Sequence, residues 1–173
     1  MVGPPRGLAA SALLLALLGA APAAAGMRIA FIHPERFTDA SLDGSFASGP
    51  NEPALARLKE HLETLGARHF GSNQTLSIEF IDVDLAGRVE WPRGFAGEVR
   101  VVREFDPPRL VLRYSLVEMG RVILQGQEDV TDVNYRSRYN NPYFRSDALR
   151  YEKALLDRWF RARIVERQPA PPR

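Results

Sequence analysis

The chain has 173 residues with 23 basic and 21 acidic side chains, a formal net charge of +2, and no cysteine. Without cysteine, a disulfide scaffold, a cysteine-ligated metal centre and a cysteine nucleophile are all excluded. The hydrophobic fraction of 45% and the charged fraction of 25% are ordinary for a folded globular protein. Because the two charges nearly balance, the net charge is no argument for nucleic-acid binding, which needs a concentrated basic patch, and we expect no nucleic-acid partner.

The first 25 residues have the pattern of a signal peptide. Arg6 precedes an apolar run of about 14 residues (8–21), and residues 23–25 are small alanines of the kind that a signal peptidase recognises. The apolar run is shorter than the roughly 20 residues that span a bilayer. We therefore expect export to the periplasm, cleavage after Ala25, and no transmembrane segment in the mature chain.

The remaining sequence predicts a single α+β domain over residues 26–165 and a disordered tail over residues 166–173. The first helix is expected to begin at Asn51 as its cap and to end near Gly66, and a second helix is expected over residues 147–163. One face of the first helix carries Leu55, Leu58, Leu62 and Leu65. The predicted strands cover residues 27–32, 75–83, 97–104, 109–117 and 121–128.

This β-α-β-β-β-β-α order favours a two-layer sandwich. In it, a mostly antiparallel sheet of four to five strands has both helices on one face. Gly120 predicts a tight turn between the last two strands, which makes them a hairpin. The first β-α-β unit is compatible with a parallel crossover.

Two aspartates at the end of the second predicted strand are candidate acidic residues. Asp82 and Asp84 are two residues apart and so share one face of the strand. They either hold a cation or act as a coupled acid pair, or they belong to a turn in which Arg88 neutralises them.

Glu152 is the third candidate acid, because helical spacing places it within the apolar face of the second helix. A buried carboxylate is costly unless it is paired or protonated. Glu152 is therefore either a salt-bridge partner of Arg100 or Arg113, or a general acid whose pKa is raised by burial.

Residues 134–145, called here the tyrosine–arginine segment, are the candidate binding site. The segment contains three of the five tyrosines, three arginines and no acid. Tyrosine and arginine dominate binding hot spots, and loops carry binding residues disproportionately. The alternative is an ordered loop whose tyrosines pack back onto the second helix. The candidate binding residues are Asn134, Tyr135, Arg136, Arg138, Tyr139 and Tyr143.

No metal or cofactor motif accompanies these candidates. The three histidines, His33, His61 and His69, do not have metal-ligand spacing, and there is no His-Glu-x-x-His sequence. A nucleophile elbow, a phosphate-binding loop and a dinucleotide fingerprint are also missing. We expect neither a metal site nor a cofactor.

Four runs of sequence together resemble a known family. They are TL with DVDLAGR (residues 75–76 and 82–88), PPRLVLRY (107–114), TDVNY (131–135) and LRYEKALLD with WF (149–157 and 159–160). In this order they resemble the bacterial envelope family catalogued as domain of unknown function 3016, over residues 27–161. The resemblance implies a secreted, single-domain proteobacterial protein and assigns no catalytic residue.

Two hypotheses about function remain open at this point. The first is a non-enzymatic binding or accessory module that contacts an envelope protein or a cell-wall component through the tyrosine–arginine segment. The alternative is a small hydrolase or metal-assisted enzyme that uses Asp82, Asp84 and Glu152.

Overall fold

A computed structural model of the chain describes residues 26–42, 49, 51–90 and 98–167. The expected signal peptide (residues 1–25), parts of two connections (43–48, 50 and 91–97) and the end of the expected tail (168–173) lie outside the described residues. The limits of the predicted domain, residues 26 and 165, therefore stay a prediction.

The described residues form an α+β fold. The elements are β1 Gly26–Phe31, α1 Pro53–His69, β2 Gln74–Asp84, β3 Arg88–Glu90, β4 Val99–Val101, β5 Arg109–Glu118, β6 Arg121–Thr131 and α2 Arg150–Trp159. A 3-10 turn at Pro34–Arg36 follows β1, and a π-helical turn at Phe160–Val165 continues α2. Among these elements, no helix combines the length and the apolar character needed to cross a membrane.

Four strands form the main sheet, in the order β1-β2-β5-β6. The β1–β2 pair is parallel, as the crossover requires, and the β2–β5 and β5–β6 pairs are antiparallel. Met119 and Gly120 both have positive φ in the turn of the β5–β6 hairpin, a geometry that matches the twist of the strands. The prediction of a mostly antiparallel sheet of four to five strands that ends in a hairpin is confirmed, with four strands in the main sheet.

Alternation of apolar and polar residues explains why both helices lie on one face of this sheet. In β2, the buried Leu76, Ile78 and Phe80 alternate with more exposed residues, and β5 repeats the pattern. These side chains share one hydrophobic core with the leucine face of α1 and with α2. Each fully buried leucine in this layer contributes about 1.5–3 kcal/mol to folding. The opposite face of the sheet carries polar side chains such as Glu79 and Arg113.

The first helix differs from its prediction at both ends. It begins after Glu52, and no side chain caps its first turn, so Asn51 is not the cap. Gly66 does not end the helix, which continues to His69. A Cβ added to Gly66 would lie 2.1 Å from Cγ of Met27, so this glycine serves close packing of α1 on β1.

The predicted strand over residues 97–104 is also corrected. Of its described residues, 98–104, only Val99–Val101 form a strand, which pairs with the unpredicted β3 in a separate two-stranded sheet. The positive φ of Gly87 turns the chain between β2 and β3 and thereby brings β3 beside β4.

The second helix begins three residues later than expected. The Asp147 carboxylate accepts the backbone N–H of Leu149 at 2.9 Å and holds residues 147–149 in a turn. The α-helical part ends at Trp159, and the rest of the predicted helix is the π-helical turn.

The turn at Gly87 provides a test of this arrangement. A Cβ at Gly87 would lie 2.4 Å from the carbonyl oxygen of Val101, and φ is +81°. We expect Gly87→Ala to lower the free energy of unfolding by about 1–3 kcal/mol, because a left-handed conformation strains any non-glycine residue. Gly71→Ala is the control, since a Cβ there meets nothing within 4 Å. Urea unfolding measures both variants, and equal stabilities would contradict the close approach at Gly87.

Candidate functional site

Asp132, the first residue after β6, holds the start of the tyrosine–arginine segment. Its side chain is only 4% exposed. It accepts hydrogen bonds from Nε of Arg138 at 2.5 Å and from Nη2 of Arg158 at 2.5 Å, and the backbone N–H of Asn134 donates at 3.1 Å. Burial acts to raise the pKa of Asp132, but the two arginines and the N–H outweigh it and hold the pKa below its ordinary value. The segment and α2 therefore share one carboxylate.

Asp157 of α2 holds the second half of the segment. Nε2 of His61 lies 2.8 Å from its Oδ1, and the Tyr143 hydroxyl donates to its Oδ2 at 2.7 Å. The His61 and Tyr143 rings meet edge to face, 5.5 Å apart. Burial acts to raise the pKa of Asp157, but these two hydrogen bonds lower it overall. This cluster joins α1, α2 and the segment at one point.

The tyrosines of the segment divide into buried and exposed members. Tyr135 is buried, its hydroxyl donates to the carbonyl of Arg103, and its ring meets Tyr151 edge to face at 4.7 Å. Burial raises the pKa of Tyr135 to about 12. Burial raises the pKa of Tyr143 as well, and its hydrogen bond to Asp157 adds to the effect. In contrast, Tyr139 is fully exposed. The alternative of an ordered loop whose tyrosines pack back onto the second helix therefore applies to Tyr135 and Tyr143. Tyr139 is exposed and free to contact a ligand.

Two cavities of interest lie against the segment. The inner cavity lies between the segment and α2 and has a volume of about 570 Å³, within the usual range for ligand sites. Its walls include Arg138, Arg158 and Arg161. The outer cavity, of about 430 Å³, lies against the start of α2. Each of the six candidate binding residues, namely Asn134, Tyr135, Arg136, Arg138, Tyr139 and Tyr143, lines at least one of the two.

Sequence reasoning missed the residues that position these walls. Asp132 and Arg158 lie outside the segment, and His61 and Asp157 are 96 positions apart in the chain. The only available signal for the second pair was an isolated histidine beside the leucine face of α1. No spacing rule connects it to an aspartate on a distant helix.

The two aspartates at the end of β2 have structural partners. Asp82 accepts the backbone N–H and the hydroxyl of Thr38, both at 2.8 Å, and Nη1 of Arg109 at 2.9 Å. Asp84 pairs with Arg88 at 2.8 Å, which agrees with the predicted neutralisation. Burial raises the pKa of Asp84, against the opposing effect of Arg88.

Glu152 is buried as predicted, but the expected salt bridge is wrong. Arg113 bonds Glu79 on the other face of the sheet at 2.9 Å, and Arg100 bonds Asp39 at 2.7 Å. Glu152 is 1% exposed and accepts the backbone N–H of Ala86 through Oε1 at 2.7 Å. Among the described residues, its Oε2 has no hydrogen-bond partner. Burial raises the pKa of Glu152, and the contact ties α2 to the β2–β3 turn.

The three candidate acids do not form a common site. None of them lies in the walls of the cavities beside the segment. Within residues 26–42, 49, 51–90 and 98–167, no group of three or more histidines and carboxylates has the geometry to hold a metal ion. The structure brings the candidate binding residues together, whereas Asp82 and Asp84 are paired with arginines and Glu152 is bonded to the backbone of Ala86.

The site and the fold define an α+β protein with an arginine- and tyrosine-lined surface on one loop and one helix. Residues 25–162 match the family described as "Protein of unknown function (DUF3016)". Because this match covers most of the chain, the protein belongs to that family. Neither the curated proteins nor the solved structures include a match to the chain.

The contact between Glu152 and Ala86 provides a test of the α2 attachment. We expect Glu152→Ala to lower the free energy of unfolding by about 1–3 kcal/mol or more, because it leaves a buried N–H without a partner. Glu152→Gln keeps an acceptor oxygen for the Ala86 N–H and cannot ionise, so it should lose less stability than Glu152→Ala. Urea unfolding measures all three proteins.

The contribution of Glu152 to the free energy of unfolding should depend on pH, and the direction of that dependence can be stated. Because burial raises the folded-state pKa of Glu152 above 4.5, the native state binds more protons than the unfolded chain just above that pH. The stability of the wild type relative to Glu152→Gln should therefore fall as the pH rises from about 4.5 through the raised pKa. A difference that does not change with pH would show that Glu152 is not protonated on folding.

Proposed function

We propose that this protein is exported to the periplasm and acts there as a non-enzymatic binding or accessory module of the cell envelope. Its contact surface is the tyrosine–arginine segment together with the facing side of α2. The observation that carries the proposal is the inner cavity of about 570 Å³, which has the fully exposed Tyr139 in its wall.

The way the segment is held supports a binding role. Asp132 and Asp157 fix it at two points, and Tyr135 is buried between them along the chain. A surface that is ordered before it meets a partner loses less conformational entropy on binding. Arginine, tyrosine and asparagine side chains then face the partner, and these residue types form strong, directional contacts.

Export is supported by the sequence of the first 25 residues, with their basic start, short apolar run and terminal alanines. We propose that cleavage follows Ala25, so that the mature chain begins at Gly26, the first residue of β1. A strand that begins at the mature terminus needs no residue of the leader for its pairing with β2.

The enzymatic alternative has no comparable support. Asp82 and Asp84 are engaged by arginine side chains, and Glu152 is almost fully buried against the β2–β3 turn. A general acid or base needs access to a substrate within hydrogen-bond distance. No described cavity beside the segment offers such access to any of the three.

Site-specific cross-linking in living cells tests the proposal. A photo-crosslinking phenylalanine analogue replaces Tyr139 in one strain and Glu60, on the exposed side of α1, in a control strain. Because Tyr139 projects from the proposed surface and Glu60 does not, we expect a discrete adduct of higher mass at position 139 alone, recovered in the periplasmic fraction.

Mass spectrometry of the adduct identifies the partner. Adducts of the same mass at both positions would show nonspecific proximity and would contradict the assigned surface. The absence of any adduct at position 139, with the protein present at normal levels, would contradict the binding role. Recovery of the full-length chain in the cytoplasm would contradict export.

A further inference from the structure

The outer cavity beside the tyrosine–arginine segment has an unusual chemical composition. Four arginines and four tyrosines line its volume of about 430 Å³, together with Ser137 and Asn141. The described residues in its walls include no carboxylate and no aliphatic side chain. The arginines are Arg136, Arg138, Arg145 and Arg150.

Most of this positive charge is not neutralised inside the protein. Arg138 pairs with Asp132, which is not part of the outer wall. Arg136 and Arg145 are exposed and make no ion pair with any residue in the described part of the chain. Arg150 lies over the ring of Tyr151, 4.4 Å from its centre, and donates to the carbonyl of Arg145 at 2.7 Å. The cavity therefore has a positive potential that an anion would lower.

The floor of the cavity is fixed before any ligand arrives. Nδ2 of Asn141 donates to the carbonyl of Arg150 at 3.2 Å, and its Oδ1 accepts the N–H of Tyr143 at 3.0 Å. Tyr143 is held in turn by Asp157. The guanidinium of Arg150 is oriented by the Tyr151 hydroxyl at 2.5 Å.

We propose that the outer cavity binds an anionic saccharide, a sugar ring that carries a carboxylate or a phosphate. The inference rests on the proposed binding role and names its ligand class. Guanidinium groups bind carboxylates and phosphates through paired hydrogen bonds. The negative face of an exposed tyrosine ring such as Tyr139 packs against the polarised C–H groups of a sugar. Hydroxyl and amide groups from Ser137 and Asn141 complement sugar hydroxyls.

The hydroxyl and amide groups in these walls favour a saccharide over an acidic protein segment. An acidic peptide would also meet the arginines, but its side chains offer few hydroxyls to Ser137 and Asn141. The outer cavity combines aromatic rings with hydrogen-bonding groups, which suit a ligand that is rich in hydroxyls.

Titration calorimetry on the chain from Gly26 to Arg173 tests the ligand class with four probes. Tetragalacturonic acid supplies sugar carboxylates, glucose 6-phosphate supplies a sugar phosphate, maltotetraose is the neutral sugar, and tetraglutamate is the acidic peptide. We expect at least one of the two anionic sugars to bind, with an affinity that falls as salt is added. Comparison of those two identifies the anionic group. Maltotetraose and tetraglutamate should bind at least about tenfold more weakly, because each lacks half of the recognised chemistry.

A matched pair of variants locates the site. Arg136→Gln with Arg145→Gln removes two unpaired cations from the outer cavity, and the affinity should fall at least about tenfold. Arg36→Gln with Arg121→Gln removes the same charge from exposed positions elsewhere and should change the affinity little. All four side chains are exposed, so both variants should fold, which circular dichroism checks.

Any of the following results would overturn the inference. An equal loss of affinity in the two double variants would show that the anionic sugars are attracted by diffuse charge. Tetraglutamate binding as tightly as the anionic sugars would identify an acidic protein segment as the ligand. Absence of binding by both anionic sugars would reject the saccharide class. If Tyr139 still cross-links to a partner in that case, the proposed binding role stands and only the ligand assignment fails. If cross-linking also fails, both are rejected.

Discussion

The buried carboxylate of Asp132 is the contact on which the whole candidate site depends. It lies at the end of β6 and binds one arginine from the loop, Arg138, and one from α2, Arg158. Because the Asp132 side chain is only 4% exposed, its charge must be paired. The two arginines that pair with it hold the segment and α2 at a fixed separation. The inner cavity is the space that this separation leaves, and Asp157 fixes its far end through Tyr143. The proposed binding role depends on that geometry, because it leaves exposed side chains such as Tyr139 facing outward.

Much of the fold follows from patterns that are local in the sequence. Leucines at helical spacing in α1 and alternating apolar residues in β2 and β5 correctly predict which faces are buried. The errors occur where a distant contact decides the outcome. Glycine often ends a helix, but the neighbour of Gly66 across space is the Met27 side chain, and α1 continues beyond this close contact to His69. The strand at Val99–Val101 pairs with β3, a three-residue strand that the sequence pattern did not predict.

The candidate site was only partly predictable for the same reason. Composition alone identifies the tyrosine–arginine segment, since its residue types are those of binding surfaces. The burial of Glu152 also follows from helical spacing, but its partner is a backbone N–H, that of Ala86, which no sequence pattern reveals. His61 and Asp157 are close only because α1 and α2 pack side by side on the same sheet. Ion pairs between elements depend on tertiary packing, so residue type and spacing do not specify them.

Backbone dynamics of the segment test the central claim most directly, namely that Asp132 holds residues 134–145 in one conformation. Nitrogen-15 relaxation should give order parameters near those of α2, about 0.85, across the segment of the wild-type protein. In Asp132→Asn they should fall towards about 0.6 between Asn134 and Asn141 while α1 and the sheet are unchanged. Asp129→Asn is the control, because that carboxylate is half exposed and its ion pair within the described part of the chain is with Arg109, away from the segment. A segment that is already mobile in the wild type, or that is unaffected by Asp132→Asn, would contradict the account.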